Sequence, residues 1–219
     1  RDNAVLVGLQ ERRQLQHATT AQSFQRIVTD LGNRAQIDIV TAPAHRNMLI
    51  LAGPGSGKTR TVVHRCAYLL RVERVRPQGV LVCCFNRQAA LELRRRLTDL
   101  AGADARGVTV LTYHALAMRL LGDSFGTRAR ASGHEINFDQ IIQDAVKLLQ
   151  GEALPTGLEP DQVRDRLLAG FQHILVDEYQ DIDEPQYELI SAIAGRTLDD
   201  DDQKLSILAV GDDDQNIYT

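Results

Sequence analysis

The sequence predicts an α/β fold in which helices flank both faces of a parallel β-sheet. Two observations predict it. Five short apolar runs recur along the chain, and the strands of a parallel sheet are apolar throughout because helices cover both of their faces. Most of these runs are followed by helical periodicity, and alternation of strand and helix is typical of parallel sheets with right-handed crossovers. The predicted strands are Met48–Ala52, Val80–Phe85, Val108–Leu111, Phe171–Val176 and Leu205–Val210.

The helices predicted after the first two strands each carry one apolar face. Their apolar residues recur every three or four positions, which places them on one side of a helix. In the second of these helices, Arg94–Arg96 would therefore turn largely outward. The apolar positions are Val62, Val63, Cys66, Ala67 and Leu70 in the first helix and Ala90, Leu93, Leu97 and Leu100 in the second.

Two regions depart from the alternation of strand and helix. Residues 1–32 are polar, and we interpret them as a helical N-terminal extension or a linker to the domain formed by residues 33–219. Residues 122–170 are rich in glycine, charge and helix-forming residues, which predicts a small helical insertion. Within it, Phe138–Leu149 and Asp161–Leu168 have the periodicity of helices.

The composition is that of a globular protein and limits its partners. Of the 219 residues, 43% are hydrophobic and 25% are charged, and no apolar run approaches the roughly 18 residues that a membrane span needs. There is no signal-peptide pattern, and the three cysteines lack the spacing of a zinc site, so we expect buried free thiols in a cytoplasmic protein. The net charge of −4 argues against binding nucleic acid by bulk electrostatics, so any such contact would be a local groove.

A phosphate-binding loop is predicted at Gly53–Thr59, between the first strand and the helix that follows it. Glycines here let backbone N–H groups point at negative charge, and the helix adds its positive N-terminal dipole. Lys58 would reach the β- and γ-phosphates of a nucleotide, and the Thr59 hydroxyl would bind Mg²⁺. Ala52 stands where the pattern has its first glycine, so the match is to a relaxed form. The alternative is a Gly/Ser-rich turn that only joins strand to helix.

Two carboxylates follow the fourth predicted strand directly. Asp177 and Glu178 would stand at the C-terminal end of a buried strand, where open α/β sheets bind their ligands. Asp177 would hold Mg²⁺, and Glu178 would orient and polarise the attacking water, which together with the loop predicts an ATPase or GTPase. The alternative is that both acids cap the helix predicted at Glu184–Ala194, although adjacent carboxylates repel each other in a cap.

Several further segments resemble the ordered motifs of the UvrD/Rep group of superfamily I DNA helicases. Asn33–Gln36 resembles the Q motif of that family, Val176–Asp181 its second motif and Gly211–Tyr218 its third. The resemblance covers roughly residues 33–219. It implies a P-loop NTPase with a RecA-like sheet, namely the first, ATP-binding domain of such a motor.

The resemblance also implies how ATP and Mg²⁺ would be bound. Gln36 corresponds to the glutamine that reads adenine, which implies ATP rather than GTP, and Arg60 to the arginine that packs near the base. Gln215 would sense the γ-phosphate, so that Lys58, Glu178 and Gln215 form the catalytic set. Alternatively, Gln36 and Arg60 are ordinary residues of a helix surface. The implied nucleotide-binding residues are Gln36, Gly55, Ser56, Gly57, Lys58, Thr59 and Arg60, with Thr59 and Asp177 at the metal.

A second set of residues would bind single-stranded DNA. Cys84–Ala90 resembles the family motif that lies under the DNA, where Phe85 would stack a base and Asn86 and Arg87 would contact phosphate. The chain departs from the family here, because Thr and Asn usually stand at the positions of Asn86 and Arg87. The alternative for Phe85 is a place in the core.

Thr112–Leu116 resembles the Thr-Phe-His motif of the same family, with Tyr113 in place of phenylalanine. His114 would donate to a DNA phosphate or couple the ATP site to the DNA, and Tyr218 would lie beside a base. A capping Thr112 followed by a surface histidine is the alternative.

Full-length members of the family continue with a second RecA-like domain that supplies arginine fingers. The chain starts with Arg1 and the resemblance stops at its last residue, so we expect a fragment of a longer protein. An arginine finger contributes about 10³- to 10⁵-fold in rate, so this chain would bind Mg-ATP but hydrolyse it slowly. Two other functions stay open: a nucleotide-gated protein-binding module, which the acidic net charge favours slightly, and a P-loop phosphotransferase, which would have no use for Gln215.

Overall fold

A computed structural model of the chain describes residues 19–132, 138–152, 159–168, 170–195 and 204–212. These residues form a five-stranded sheet in which every neighbouring pair of strands is parallel. The order across the sheet is β1-β5-β4-β2-β3, which confirms the predicted α/β class and all five strands. The strands are β1 Met48–Leu51, β2 Val80–Cys84, β3 Thr109–Thr112, β4 His173–Asp177 and β5 Ser206–Gly211.

Helices flank this sheet on both faces. Those predicted after the first two strands are present, and their predicted apolar positions are buried or half-buried. Arg94–Arg96 are exposed, as expected. The described helices are α1 Ala21–Ile27, α2 Arg34–Val40, α3 Lys58–Arg71, α4 Arg87–Ala101, α5 Tyr113–Ser132, α6 Phe138–Leu149, α7 Pro160–Leu168 and α8 Glu184–Ala194.

Each face of the sheet has its own core, because successive residues of a strand point to opposite faces. Val82 and Cys84 pack with α1, α3 and α4 on one face, whereas Leu81 and Cys83 pack with α5, α6 and α8 on the other. The adjacent cysteines therefore point apart. Together with Cys66 they are buried free thiols, as the sequence predicts.

The first strand is less buried than its apolar sequence predicts. Met48 and Ile50 pack against the face that α3 covers, but Leu49 and Leu51 are 57% and 54% exposed. β1 lies at the edge of the described sheet, and the helices of the opposite face pack over β2, β4 and β5. The expectation that helices cover both faces of every strand is therefore wrong for β1, as far as the structure describes the chain.

The described end of the predicted N-terminal extension packs against α3. Thr20 caps α1 by accepting a hydrogen bond from the N–H of Ser23. Ile27 and Val28, at the end of this helix, belong to the same core cluster as α3. The described part of the extension, residues 19–32, thus packs against the predicted domain of residues 33–219.

The described residues between β3 and β4 form three helices. α5 is kinked at Gly122, whose φ of 60° and ψ of −156° are strained for any residue but glycine. Both helices predicted in this region are confirmed: α6 has the predicted bounds, and α7 begins one residue earlier, at Pro160. α6 packs on both α5 and α8. Within the described ranges, no helix has the length and apolarity to cross a membrane.

Candidate nucleotide-binding site

The candidate site lies where the C-terminal ends of β1, β4 and β5 meet. Leu51, the last residue of β1, is in register with Gly211 at the end of β5, and Asp177 at the end of β4 pairs with Val210. The loop Gly53–Thr59 follows β1 and runs into α3. The sheet thus brings the predicted loop and carboxylates to one edge, where open α/β sheets bind ligands.

Two glycines with positive φ shape the loop. Gly55 has a φ of 74° and Gly57 a φ of 85°, a region that strains other residues. Gly57 is also crowded, since a Cβ atom added there would lie 2.8 Å from Nε2 of Gln36. Because Gly57 is the N-cap of α3, the unbonded N–H groups of the first helical turn lie beside the loop, as an anion site requires.

The amine of Lys58 is held by three oxygens. Nζ donates to the carbonyls of Ala52 at 3.0 Å and Gly53 at 3.2 Å, and it forms a 2.9 Å ion pair with Oδ2 of Asp212. The pair is buried, because the two side chains are 8% and 0% exposed. Asp212 therefore supplies a negative charge beside Lys58, a role that no sequence pattern predicts.

Asp177 has the properties of a magnesium ligand. Asp177 is 3% exposed, and the Thr59 hydroxyl and the Glu178 N–H stabilise the ionised form of its carboxyl. Its Oδ1 is buried and has no hydrogen-bond partner among the described residues. Burial raises the pKa of this carboxyl to about 6, and the nearby Thr59 hydroxyl opposes the rise. A buried carboxyl with one open oxygen, next to a threonine hydroxyl, fits an oxygen-bound cation such as Mg²⁺.

Replacing Asp177 by asparagine is expected to raise the melting temperature of the metal-free protein at neutral pH. The folded-state pKa lies above the ordinary value of 3.8, so the carboxyl stabilises the fold at low pH and loses this contribution as the pH rises through about 6. A rise in pKa from 3.8 to about 6 corresponds to a cost of about 3 kcal/mol for the ionised carboxyl, which asparagine avoids while it can still accept a hydrogen bond.

Thermal melts in EDTA across the acidic and neutral range would measure this effect of Asp177→Asn. The difference between variant and wild type should shrink toward acidic pH, where the native carboxyl is protonated. Equal melting temperatures at neutral pH would contradict the expectation.

Glu178 is held in an uncommon backbone conformation. Its φ of 55° and ψ of 52° are left-handed, which costs a residue other than glycine about 1–3 kcal/mol. Its half-buried carboxylate accepts a 2.8 Å hydrogen bond from Nε2 of Gln180. Asp183 caps α8 by accepting the N–H of Gln186 at 2.9 Å, so the alternative that Asp177 and Glu178 serve as the cap is wrong.

Gln36 reaches the phosphate loop from α2. Its Nε2 donates a 2.8 Å hydrogen bond to the carbonyl of Ser56, and its Oε1 is buried without a partner in the described part of the chain. A buried acceptor left open in this way fits a donor supplied by a ligand. Arg60 donates instead to the carbonyls of Asp30 at 2.8 Å and Leu31 at 3.5 Å, so its guanidinium contacts the turn before α2.

The residues expected to contact DNA stand at the C-terminal ends of β2 and β3. Phe85 is 49% exposed, so the alternative of a core aromatic is wrong. Asn86 caps α4, since its Oδ1 accepts the N–H of Ala89 at 2.8 Å. Arg87 is exposed and His114 is half-buried. Phe85 and Arg87 are therefore accessible to a ligand, while Asn86 has a structural task as well.

The predictions for Thr112–Leu116, the second segment expected to contact DNA, are only partly tested by the structure. Thr112 caps α5 by accepting the N–H of Ala115 at 3.3 Å, and Tyr113 is 1% exposed. The capping alternative holds for Thr112, and the role of His114 stays an expectation. Gln215 and Tyr218 lie outside the described residues.

Residues 35–219 match the family model of an AAA domain. DNA helicase II of Salmonella typhimurium is 30% identical, in a match covering 85% of this chain and 34% of that protein. ATP-dependent DNA helicase Rep of the same species is 27% identical, with coverages of 86% and 36%. ATP-dependent DNA helicase UvrD1 of Mycobacterium tuberculosis is 26% identical, with coverages of 78% and 31%. These matches confirm the resemblance to the UvrD/Rep group.

The chain spans about a third of the length of the curated relatives that it matches. The alignment with DNA helicase II extends over 260 positions, which is more than this chain has. That helicase therefore contains segments, within the aligned region, that have no counterpart in the 219 residues.

Proposed function

The chain belongs to the AAA domain family, and from this premise we propose that it is the ATP-binding motor domain of a DNA helicase or translocase. It would couple the hydrolysis of Mg-ATP to movement on single-stranded DNA. Relatives that match most of the chain are named ATP-dependent DNA helicases. Residues 33–219 would form the first RecA-like domain, with residues 122–170 as its helical insertion.

The observation that carries this proposal is the convergence of four side chains at one edge of the sheet. The Thr59 hydroxyl lies beside the Asp177 carboxyl and stabilises its charge, Lys58 starts the same helix as Thr59, and Glu178 follows Asp177 directly. A phosphate loop, a cation site and a carboxylate for water are the parts that phosphoryl transfer to water requires.

Each of these residues would have one task. Thr59 and Asp177 would hold Mg²⁺, which when bound neutralises charge on the β- and γ-phosphates. Lys58 would exchange Asp212 for the phosphates of the nucleotide. Glu178 would accept a proton from the water that attacks the γ-phosphate, and Gln215 would sense that phosphate.

Gln36 would select ATP over GTP. Its open Oε1 can accept a hydrogen bond from the amino group of adenine, whereas guanine presents a carbonyl oxygen at the same ring position. Two facing acceptors leave a buried polar group unpaired, which lowers affinity. Arg60 would leave the turn before α2 to pack near the base.

Single-stranded DNA would lie across the ends of β2 and β3. Phe85 would stack a base, and Asn86, Arg87 and His114 would contact its backbone. Tyr218 would lie beside a further base. A second RecA-like domain would close the ATP cleft, and the buried thiols suit a reducing cytosol.

The test is single-turnover hydrolysis of γ-labelled Mg-ATP by an excess of the protein, with and without oligothymidylate. We expect slow hydrolysis that the DNA accelerates, and we expect Phe85→Ala to weaken the acceleration. Leu91→Ala is the matched control, because Leu91 is an equally exposed apolar residue on α4. Hydrolysis that DNA does not change would favour the nucleotide-gated protein-binding module.

A further inference from the structure

Gln180 makes two hydrogen bonds that join separate parts of the candidate site. It lies in the short turn Tyr179–Asp181, directly after Glu178. Its Nε2 donates to Oε2 of Glu178 at 2.8 Å, and its Oε1 accepts the backbone N–H of Asp212 at 2.9 Å. Both ends of the amide are therefore in use, and its orientation is determined.

The second of these bonds goes to a buried residue. Asp212 is 1% exposed, and its carboxylate pairs with Lys58. Gly211, just before it, lies close to the turn: a Cβ atom there would lie 3.1 Å from Oε1 and 3.2 Å from N of Gln180. A side chain at this position would push Gln180 away by a few tenths of an ångström, so the end of β5 helps to set the position of Gln180.

Glu178 benefits from the hydrogen bond that Gln180 donates, because it stands among other carboxylates. Charge on Glu178 raises the pKa of Asp177 on one side and of Asp181 on the other, although burial is the larger cause for both. Mutual repulsion would turn the flexible Glu178 side chain away from its neighbours. The amide N–H of Gln180 offsets that repulsion and limits the rotamers of Glu178.

We propose that Gln180 is a positioning residue for Glu178, holding its carboxylate in the orientation needed to accept a proton from the attacking water. Gln180 itself touches neither ATP nor water in this role. The inference rests on the proposed function, since it assumes that Glu178 acts as the base.

Gln180→Met tests this inference, because methionine keeps the length of the side chain and removes both hydrogen bonds. We expect single-turnover hydrolysis of γ-labelled ATP to slow roughly 10- to 100-fold, the size of effect that misplacing a catalytic group by about 1 Å produces. Affinity for a fluorescent ATP analogue should stay within about twofold of wild type, because the phosphate loop is unchanged.

Gln140→Met is the matched control. Gln140 is exposed on α6 and donates a 2.9 Å hydrogen bond to the carboxylate of Asp144, so the same type of bond is lost on a helix that carries none of the candidate site residues. Hydrolysis by this control should equal that of wild type. Gly211→Ala offers a second route, because the added methyl group would displace Gln180 while leaving its amide intact, and it should slow hydrolysis in the same way.

The outcomes separate this inference from the proposed function. If Glu178→Gln slows hydrolysis while Gln180→Met and Gly211→Ala do not, the positioning role is overturned and the proposed base stands. If Gln180→Met lowers nucleotide affinity and hydrolysis together, Gln180 supports the site as a whole and the positioning role is again overturned. If Glu178→Gln has no effect, the proposed base is wrong.

Discussion

Lys58→Ala is expected to destabilise the nucleotide-free protein as well as to abolish phosphate binding. The substitution leaves the fully buried carboxylate of Asp212 without its ion-pair partner. Removing one member of a buried pair costs about 3–5 kcal/mol, because the other charge stays buried. For a protein of this size the melting temperature should fall by on the order of 10 °C.

The double variant Lys58→Ala/Asp212→Asn isolates this effect. Asparagine has nearly the shape of aspartate but no charge, so it should recover most of the lost melting temperature. It should not recover nucleotide binding, because the amine is still absent. Thermal melts and titration with a fluorescent ATP analogue, on the wild type, both single variants and the double variant, complete the cycle.

A Lys58→Ala protein that melts like wild type would show that Asp212 does not depend on Lys58. The expected result also affects how that substitution is interpreted. Loss of activity in Lys58→Ala combines a missing phosphate contact with a weakened fold. The double variant is therefore the better comparison for assigning the loss to the phosphate contact alone.

The sequence was sufficient for the parts of the fold that follow a local pattern. Five apolar runs became five parallel strands, because each run is short and bounded by helical periodicity. β1 was the exception: its apolar letters cannot reveal that the strand lies at an edge, and Leu49 and Leu51 are exposed there. Position within a sheet depends on pairing between distant segments, which a local pattern does not contain.

The candidate site, like the fold, was predictable only where a local pattern in the sequence determines it. The loop and the two carboxylates were predictable, because their spacing and strand context carry the chemistry. The pairing of Lys58 with Asp212 joins residues 154 positions apart. The bond from Gln180 to the end of β5 likewise appears only when β4 and β5 lie side by side. Asp212 and Gln180 lie in segments that resemble helicase motifs, but the sequence of a motif does not indicate which atoms its residues contact.

Glu178→Gln is expected to slow ATP hydrolysis by about 10²- to 10⁴-fold, the usual contribution of general acid–base catalysis. Glutamine has the size of glutamate and its Oε1 can still accept the hydrogen bond from Gln180. It cannot take a proton from water. Because Lys58, Thr59 and Asp177 are unchanged, affinity for Mg-ATP should be preserved.

Single-turnover hydrolysis of γ-labelled ATP, with affinity measured in parallel, tests the role of Glu178. Glu188→Gln, at an exposed position on α8, makes the same chemical change at a residue with no proposed role and should have no effect. A matched loss of affinity and rate would assign Glu178 to ground-state binding, since removal of a base lowers the rate alone. Preserved affinity with hydrolysis lost would show that phosphate binding and proton transfer are separate tasks, divided between the ends of β1 and β4.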